Sequence, residues 1–402
     1  MSKRNDRPSK RRAGFTLVEM MVALSIGTVV VAAVFTIGGG SAHHFQEQQR
    51  VGVLQRSVRE ASDRIRRDIG RAGYLSVAST LSPRVSMCRT PATPRTVQAI
   101  WLDDTDSTAA SALAAINGGQ NGVSADRLRL SGNYATSDAY LVRSINNTGT
   151  MLWLQTQNWQ AFQRSFVVTT AGGQVVDTAG YLNAFRRGRM LHIETRTHQH
   201  FLVDITGSSI DSGGTSATVS ISPGLGNNTP CIEGLLEGAV VAPVSQIEYA
   251  LEPAPAGSNL APRSLAVTGP NTQLVRREID MTSGTEMAGT RRVVLDYAVD
   301  FNVELIIDTN LTPTNPPSLV RRAGAQAEAS AQGSPWQVRS AIVSIAGRSA
   351  TQDSRFPWPT TWASGRPSSA PLNRYRVFTD RQGAARVRSL TTEIVMPNLV
   401  PR

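Results

Sequence analysis

The sequence predicts an α+β protein in which a long N-terminal α-helix, with a membrane half and an amphipathic half, packs on a large β-rich globular head. Residues 20–37 form an apolar run without a charged side chain, long enough to cross a bilayer as a helix. Apolar residues then recur at steps of three and four as far as residue 69, which indicates that the helix continues with one face against a core. After residue 75, alternating and β-branched runs are separated by Gly, Asn, Asp and Pro clusters, and these runs predict strands.

The helix is predicted to end at Gly70 and Gly73, which follow the last apolar position of the stripe. Charged side chains fill the other faces of this segment, so the stripe is expected to pack against the sheet of the head. The stripe consists of Val51, Leu54, Val58, Ala61, Ile65 and Ile69. The predicted organisation is a basic leader at 1–14, a transmembrane helix at 15–40, its amphipathic continuation at 41–73 and the head at 74–402.

The head is predicted to be rich in strands joined by exposed loops. The runs predicted as strands are 97–102, 126–131, 151–156, 165–170, 189–194, 200–206, 216–222, 239–251, 273–279, 292–307, 336–346, 375–379 and 385–396. Segments rich in Pro or in Ala, Gly and Ser, at 253–264, 311–318 and 323–335, are expected to be exposed loops.

Much of the positive charge lies at the front of the chain. Six basic residues and Asp6 give residues 1–14 a net charge of +5 out of the formal +11, which leaves +6 on the remainder. An excess of that size gives little support for nucleic-acid binding. A basic segment before an apolar helix predicts a cytoplasmic N-terminus and an exported body.

A secretory signal peptide is the competing interpretation of the N-terminus, with cleavage at the small residues 38–42. Glu19 argues against it, because a carboxylate at the head of an apolar segment costs several kcal/mol unless it is paired. A carboxylate in that place favours a partner in an assembly.

The hexapeptide at 14–19, Gly-Phe-Thr-Leu-Val-Glu, resembles the processing site of type IV prepilins. The resemblance implies that the prepilin peptidase cuts after Gly14 and N-methylates Phe15, the new first residue. Glu19 then stands at the fifth mature position, where pilins carry a glutamate that pairs with the terminal amine of a neighbouring subunit. Such a pair is favourable in an apolar helical bundle, because opposite charges attract strongly once both are desolvated.

A second stretch, Arg-Asp-Ile-Gly-Arg-Ala-Gly-Tyr at 67–74, resembles the sequence that closes the first helix of PilW-type minor pilins. Segments of several predicted strands are also similar to that family, at 124–128, 244–251, 274–277, 299–303, 338–345 and 387–398. The resemblance is strong at the front of the chain and thin in the loops. It implies a minor pilin, a structural subunit of the complex that initiates assembly of a type IV pilus.

The same resemblance implies partners and a location. The expected partners are other minor pilins, the major pilin, the prepilin peptidase, the inner-membrane assembly machinery, inner-membrane lipid and a large tip adhesin. The expected location is the inner membrane, as a single-pass protein with a periplasmic head, and then the tip or base of a pilus used in adhesion and twitching motility. A J-type pseudopilin of type II secretion is the first alternative, and a DNA-binding or adhesive accessory pilin is the second.

The two cysteines, Cys88 and Cys231, are predicted to form a disulfide, because an exported body meets an oxidising compartment and an even count permits one bridge. A bridge that closes so long a loop contributes about 4–5 kcal/mol in the chain-entropy model. Two unrelated buried thiols are the alternative.

Neither catalysis nor a metal is expected. The sequence has no phosphate-binding glycine loop before a helix and no Gly-x-Ser-x-Gly elbow, so we predict no enzyme and no cofactor. A metal site needs three or four converging ligands, so the histidines near 192–200 and Asp204 are expected to be solvent-facing strand residues. The acidic run at 103–106 lacks the glycine and glutamate of a calcium loop and is expected to be a solvated turn.

The arginine cluster of Arg186, Arg187 and Arg189 is the candidate nucleic-acid contact, since some pilins bind DNA during its uptake. Solvated strand ends are the alternative, and nucleic acid is not expected as a partner. Further basic pairs lie at 276–277, 291–292 and 321–322, and an aromatic loop, predicted as a core lid or a protein contact, lies at 356–362.

Overall fold

The structure is a computed structural model that describes residues 14–83, 85–88, 96–104, 121–171, 173–226, 238–255, 271–310, 316–367, 370–378 and 382–399. The chain divides into two compact units, the first ending at Val53 and the second beginning at Leu54. Helix α1, Leu17–Gly70, contributes residues to both. The second unit contains every strand of the described chain.

The second unit is rich in strands, and with helix α1 it confirms the predicted α+β class. Its strands are β1 Ile100–Asp103, β2 Arg127–Gly132, β3 Tyr140–Ile145, β4 Met151–Leu154, β5 Val167–Thr170, β6 Gly173–Val176, β7 Met190–Glu194, β8 His200–Ile210, β9 Ala217–Ser222, β10 Val240–Pro253, β11 Thr272–Ile279, β12 Arg292–Asp296, β13 Ala298–Asp308, β14 Leu319–Arg322, β15 Val338–Arg348, β16 Arg374–Tyr375 and β17 Ala385–Val395. Its shorter helices are α2 Gln160–Phe166, α3 Thr178–Ala184 and α4 Ala325–Gly333.

Strand β10 is shared between a closed ring of strands and an open sheet. Its first half, residues 240–244, pairs with β3 and β7, and the antiparallel order β10-β3-β4-β9-β8-β7 returns to β10. Its second half, from Ser245 onward, pairs with β2 and β11 in an open sheet that also contains β1 and β12. The ring strands and helices α2 and α3 share one apolar cluster. In this cluster the centroids of the Tyr140 and Phe166 rings lie 5.3 Å apart.

The outer part of helix α1 packs on the other main core. Leu54, Val58, Ala61, Ile65 and Ile69 are each at most 7% exposed. They share an apolar cluster with the open sheet, with helix α4 and with the second sheet, whose order is β14-β13-β15-β17-β16. The predicted packing of the stripe on the head is therefore confirmed for these five positions.

Several predicted elements differ from the observed ones. The Ala-rich segment 323–335, predicted as an exposed loop, contains helix α4, whose Ala327 and Ala331 are buried against the main core. Alanine is the strongest helix former, so a segment rich in alanine can form a helix even where its glycine and serine residues suggest a loop. The predicted strand 165–170 begins as the end of helix α2, and strand β3 was not predicted. The predicted strand 292–307 is two strands separated at Tyr297, whose φ of 54° interrupts extended backbone.

Candidate functional site

The predicted processing bond, between Gly14 and Phe15, lies in exposed, non-helical backbone just before helix α1. Thr16 Oγ1 accepts a hydrogen bond from the Glu19 N–H at 3.2 Å, and the Glu19 carboxylate accepts one from the Thr16 N–H at 2.9 Å. This reciprocal pair is a capping box, which satisfies backbone donors that a helix start leaves unpaired. The helix therefore begins after the predicted processing bond.

The surroundings of this bond leave it open to a second protein. Phe15 is 85% exposed, and a Cβ added to Gly14 would meet no atom within 4 Å. Glu19 thus has a local role, as the capping partner of Thr16, beside the contact with a neighbouring subunit that the resemblance implies, and this local role was not predicted. The Thr-x-x-Glu spacing is the signal that predicts such a box.

The first part of helix α1 is long and apolar enough to cross a membrane. Leu17–Gly38 comprises 22 residues with a mean hydropathy of 2.4, and none of it is buried within the chain. The hydroxyls that interrupt this apolar run are satisfied within the helix. Ser25, Thr28 and Thr36 each donate to the carbonyl three residues earlier, at 2.8–2.9 Å. Their polar groups therefore add little to the cost of placing the helix in lipid.

Asp68, near the end of helix α1, links the helix to the open sheet. Its carboxylate accepts hydrogen bonds from the Tyr249 hydroxyl and from Nε of Arg276, both at 2.6 Å. Burial opposes the charge of Arg276, but the Asp68 carboxylate outweighs this effect and raises the pKa of the guanidinium. The Tyr134 hydroxyl donates to the Asp68 carbonyl at 2.8 Å. The helix end is thus held by polar contacts as well as by its apolar stripe.

The other residues of the 67–74 stretch shape the exit from the helix. Ile69 and Ala72 are completely buried. Gly73 has a φ of 75°, and a Cβ there would lie 2.9 Å from Leu399, so both the turn and the packing require glycine. The Tyr74 hydroxyl donates to the Ser137 carbonyl at 2.9 Å. The stretch that resembles the PilW proteins therefore forms the junction between helix and head.

Beyond this junction, two histidines form a pair, in which His192 is buried and His200 is half-buried. The ring atoms His192 Nε2 and His200 Nδ1 lie 3.0 Å apart, and His192 Nδ1 lies 3.0 Å from the Leu75 carbonyl oxygen. His192 is only 6% exposed, which corrects the expectation of a solvent-facing residue. Burial, helped by the neighbouring His200, lowers the pKa of His192 to about 4, and burial also lowers the pKa of His200.

The third histidine lies apart from this pair. His198 sits in the turn between β7 and β8 with a φ of 56°, and its Nδ1 lies 2.8 Å from a Glu194 carboxylate oxygen. No group of three or more His, Cys, Asp or Glu residues that could hold a metal occurs in the part of the chain that the structure describes. Asp103 closes strand β1 and Asp104 follows it, whereas Asp106 lies outside the described residues.

Arg189, one of the predicted nucleic-acid contacts, is buried instead, with 5% of its surface exposed. Its guanidinium forms a two-point ion pair with Glu278, at 2.5 and 2.9 Å, and donates to two backbone carbonyls of helix α3. This corrects the expectation for Arg189, because these contacts use four of the five N–H donors of a guanidinium that is already buried and paired with a carboxylate. Arg187 is exposed and Arg186 is half-exposed.

The other basic pairs are also tied to carboxylates. The ion pairs are Arg276 with Asp68, Arg277 with Glu248, Arg291 with Glu252 and Arg321 with Glu304. Glu248 is completely buried and also pairs with Arg129 at 2.6 Å. Most of these arginines therefore stabilise the folded sheets.

The aromatic loop is held by contacts among its own residues and with two arginines outside it. The rings of Trp358 and Trp362 pack edge to face with centroids 5.1 Å apart, and Trp358 Nε1 donates to the Trp362 carbonyl at 3.2 Å. The guanidinium carbons of Arg374 and Arg386 lie 4.3 and 4.4 Å from the centre of the Phe356 ring. Its role as a core lid or a protein contact remains a prediction.

The structure describes only one of the two cysteines of the predicted disulfide. Cys88 is buried, with 4% of its surface exposed, and belongs to the apolar cluster of the strand ring. Cys231 lies outside the described residues, so the bridge between them remains a prediction.

Comparison with known proteins identifies the N-terminal segment. Residues 9–35 match the prokaryotic N-terminal methylation motif, a family that covers the predicted processing bond and the start of helix α1. No curated protein is detectably similar to the chain. The match indicates a type IV pilin-like or pseudopilin precursor, and together with the apolar helix it fits a membrane-anchored pilin.

We predict that Asp68→Asn destabilises the second unit by about 3 kcal/mol, because it leaves the partly buried Arg276 without its counter-charge. Denaturant unfolding of the detergent-solubilised chain measures this. The matched control is Asp63→Asn, at an exposed position of the same helix, which should change stability by less than about 0.5 kcal/mol. Equal effects of the two substitutions would contradict the assigned role of Asp68.

We predict that the buried His192 ring contributes an acid sensitivity to the second unit. The pKa of His192 is about 4 when folded and about 6.5 when unfolded, so protonation favours the unfolded chain. The stabilising contribution of neutral His192 should be full above pH 6.5 and should be lost, by up to about 3 kcal/mol, as the pH drops towards 4. His192→Gln should remove this contribution, measured by comparing its unfolding with that of the wild type at a series of pH values. His198→Gln, at an exposed side chain, should leave it unchanged. The same slope in all three proteins would refute the prediction.

Proposed function

We propose that the chain is a PilW-type minor pilin, a structural subunit of the priming or tip complex that initiates assembly of a type IV pilus. The observation that carries the proposal is the methylation motif at 9–35, placed directly on a helix that is able to span a membrane. A pilin subunit needs both features, because it is first anchored in a membrane and is then assembled into a filament.

In this proposal the chain acts through assembly and performs no catalysis. The prepilin peptidase removes the leader after Gly14 and methylates the amine of Phe15. Glu19 then pairs with the terminal amine of a neighbouring pilin and sets the stagger between the two helices. The apolar side chains of Leu17–Gly38, which are exposed in the single chain, pack against other helices in the filament.

Two further features favour a minor pilin of the PilW type. The 67–74 stretch resembles that family, and its side chains form the polar and apolar junction that fixes the helix on the head. A head as large as the second unit packs poorly in a repeating shaft, which favours a rare subunit. The proposed partners are other minor pilins, the major pilin, the assembly machinery and a tip adhesin, first in the inner membrane and then on the pilus.

A J-type pseudopilin of type II secretion is the second candidate, because the methylation motif is compatible with a pilin and with a pseudopilin. A deletion strain, scored side by side for sheared surface pili and for secreted enzymes, separates the two. Lost pili with normal secretion support the minor pilin. Normal pili with lost secretion would move the chain to the pseudopilins. An accessory DNA-binding pilin has less support, since the Arg189 guanidinium is buried against Glu278.

We predict that Gly14→Val blocks removal of the leader. No atom lies within 4 Å of a Cβ at Gly14, so the substitution leaves the fold intact and its effect reports recognition by the peptidase. Immunoblotting should show only the longer precursor. Gly27→Val is the control, because a Cβ at Gly27 also has open space around it and lies away from the processing bond. Normal processing of the Gly14 variant would contradict the assigned cleavage position.

We predict that Glu19→Ala abolishes surface pili, because the terminal amine of the neighbouring subunit loses its counter-charge. Thr16→Ala separates this role from helix capping. It removes the cap hydroxyl, at a cost of about 1 kcal/mol to the helix start, but keeps the carboxylate. Sheared pili should therefore persist in the Thr16 variant. If both variants lost pili equally, capping and not subunit pairing would explain Glu19.

A further inference from the structure

Strand β17 forms an edge of the second sheet for most of its length. On one side it pairs with β15 from Val387 to Val395. On the other side it pairs with the short strand β16, but only through Ala385 and Arg386. From Ser389 to Val395 this second side, here called the open edge, therefore has no neighbouring strand in the part of the chain that the structure describes.

The backbone N–H groups of β17 point alternately to β15 and to the open edge. The Met396 N–H donates to the Arg339 carbonyl at 2.9 Å, on the side of β15. The Val387 N–H donates to the Asn373 carbonyl at 3.0 Å, on the opposite side. The residues whose N–H groups point to the open edge are all exposed, and none of these groups has an acceptor among the described residues: Ser389, Thr391, Glu393 and Val395.

The other edges of the two large sheets are short, charged or covered. Strand β12 has five residues and begins with an arginine, and β14 has four and ends in Arg321 and Arg322. Strand β1 has four residues, and the Gln332 side chain of helix α4 donates to its Leu102 carbonyl at 3.1 Å. Such features protect an edge from pairing with another chain. Strand β17 has 11 residues and no proline, and its open edge presents a single charged residue, Glu393.

Helix α1 runs alongside β17 on one face of the second sheet. Ile394 belongs to the apolar cluster that contains the helix stripe. The Ser62 and Thr392 hydroxyl oxygens lie 3.2 Å apart. Just after the strand, Asn398 donates to the Gly70 carbonyl at 3.0 Å. The helix therefore follows the strand for about two turns, and Ser62 lies on the flank of the helix nearest to the open edge.

Two arginines project from the same flank. Arg59 and Arg66 lie three residues before and four residues after Ser62, so they share its side of the helix. Both are exposed, and neither forms an ion pair with a described residue, including Asp63, the nearest carboxylate along the helix. A strand added at the open edge would lie beneath these two guanidinium groups.

Two further charges give the two faces of the open edge opposite signs. Arg388 lies opposite Gly347, and a Cβ on Gly347 would be 3.1 Å from Leu54 of the helix, so Arg388 adds positive charge on the helix face. Glu393 lies on the other face, where its carboxylate accepts from the Ser340 hydroxyl at 2.7 Å. The helix face therefore attracts carboxylates, and the other face repels them.

We propose that the open edge of β17 binds an extended acidic segment of another protein as an added strand. The backbone of that segment pairs with the free N–H and C=O groups of residues 389–395. Side chains of an added strand alternate between the two faces. Carboxylates at every second position therefore meet Arg59 and Arg66, and neutral side chains between them meet Glu393.

A second copy of this chain fits the open edge less well than an acidic segment. If two copies paired through β17, each would bring to the helix face of the other a set of side chains without a carboxylate: Arg388, Leu390, Thr392 and Ile394. Charge complementarity thus favours a different partner.

The test uses the full-length chain in a zwitterionic detergent and fluorescent peptides long enough to pair with residues 389–395. The probe peptide alternates Glu with Thr, and two matched peptides carry Gln or Lys in place of Glu. We expect the Glu peptide to bind and the other two to bind at least about tenfold more weakly. Bound Glu peptide should also slow the amide hydrogen exchange of residues 389–395.

The double variant Arg59→Glu with Arg66→Glu should weaken binding of the Glu peptide at least about tenfold, because two attractive contacts become repulsive. Both positions are exposed, so the variant should fold. Arg67→Glu is the matched control, at an exposed position on another face of the same helix, and should leave the affinity unchanged.

Equal binding of the three peptides, or no binding of the Glu peptide at millimolar concentration, would overturn the proposal. Slower exchange only outside residues 389–395, or an affinity that the double variant leaves unchanged, would also overturn it. A dimer of the free chain that the Glu peptide fails to displace would assign the open edge to a second copy, with the same consequence. Peptide binding does not require pilus assembly, so a negative result would leave the proposed function intact.

Discussion

The carboxylate of Asp68 lies in an otherwise apolar helix face, and its partners decide how helix α1 sits on the head. Aliphatic side chains at steps of three and four exchange places with little loss, so they fix the register of a helix weakly. A partly buried carboxylate that must reach both Tyr249 and Arg276 has one satisfactory register, because in any other it loses both partners. The turn at Gly73 and the path of residues 73–78 across the ring of strands follow from that register.

That path also explains why His192 is buried. Leu191 and Ile193 of strand β7 belong to the apolar cluster of the ring, so the alternation of the strand turns His192 to the outer face. In the antiparallel register His192 lies opposite Ala242 of β10. The segment after helix α1 crosses this outer face, and its Leu75 carbonyl accepts from His192. A position that alternation alone assigns to solvent is thus covered by chain that is distant in sequence.

Local periodicity accounts for the part of this fold that could be predicted. The stripe from Leu54 to Ile69 repeats with the period of a helix, and the runs 239–251, 336–346 and 385–396 are alternating or β-branched, so sequence alone reveals this helix and strands β10, β15 and β17. The prediction of a loop at helix α4 was wrong, because a segment rich in alanine and serine can form either a loop or a helix. The ring closure through β10 and the partners of Asp68 and Arg189 depend on residues that lie far apart in the chain. No local pattern encodes such pairs. At the processing segment the motif predicted the important residues, but the capping role of Thr16 was missed.

Glu19 has two roles on one carboxylate, a local cap and a proposed contact with a neighbouring subunit. Both hydrogen bonds from Thr16 go to Oε2, which leaves Oε1 as an acceptor for a second partner. In the single chain its carboxylate accepts from the Thr16 N–H and so completes the start of the helix, a contact worth about 1 kcal/mol. Under the proposed function the terminal amine of a neighbour approaches the same carboxylate among apolar helices. There an unpaired charge is far more costly than a lost cap, and the attraction between opposite charges is correspondingly larger. Under the proposed function Glu19 therefore caps its own helix while the subunit is alone and gains the amine as a further partner on assembly. This pairing requires the amine, which exists only after the leader has been removed. In this proposal, processing thereby controls assembly through one carboxylate.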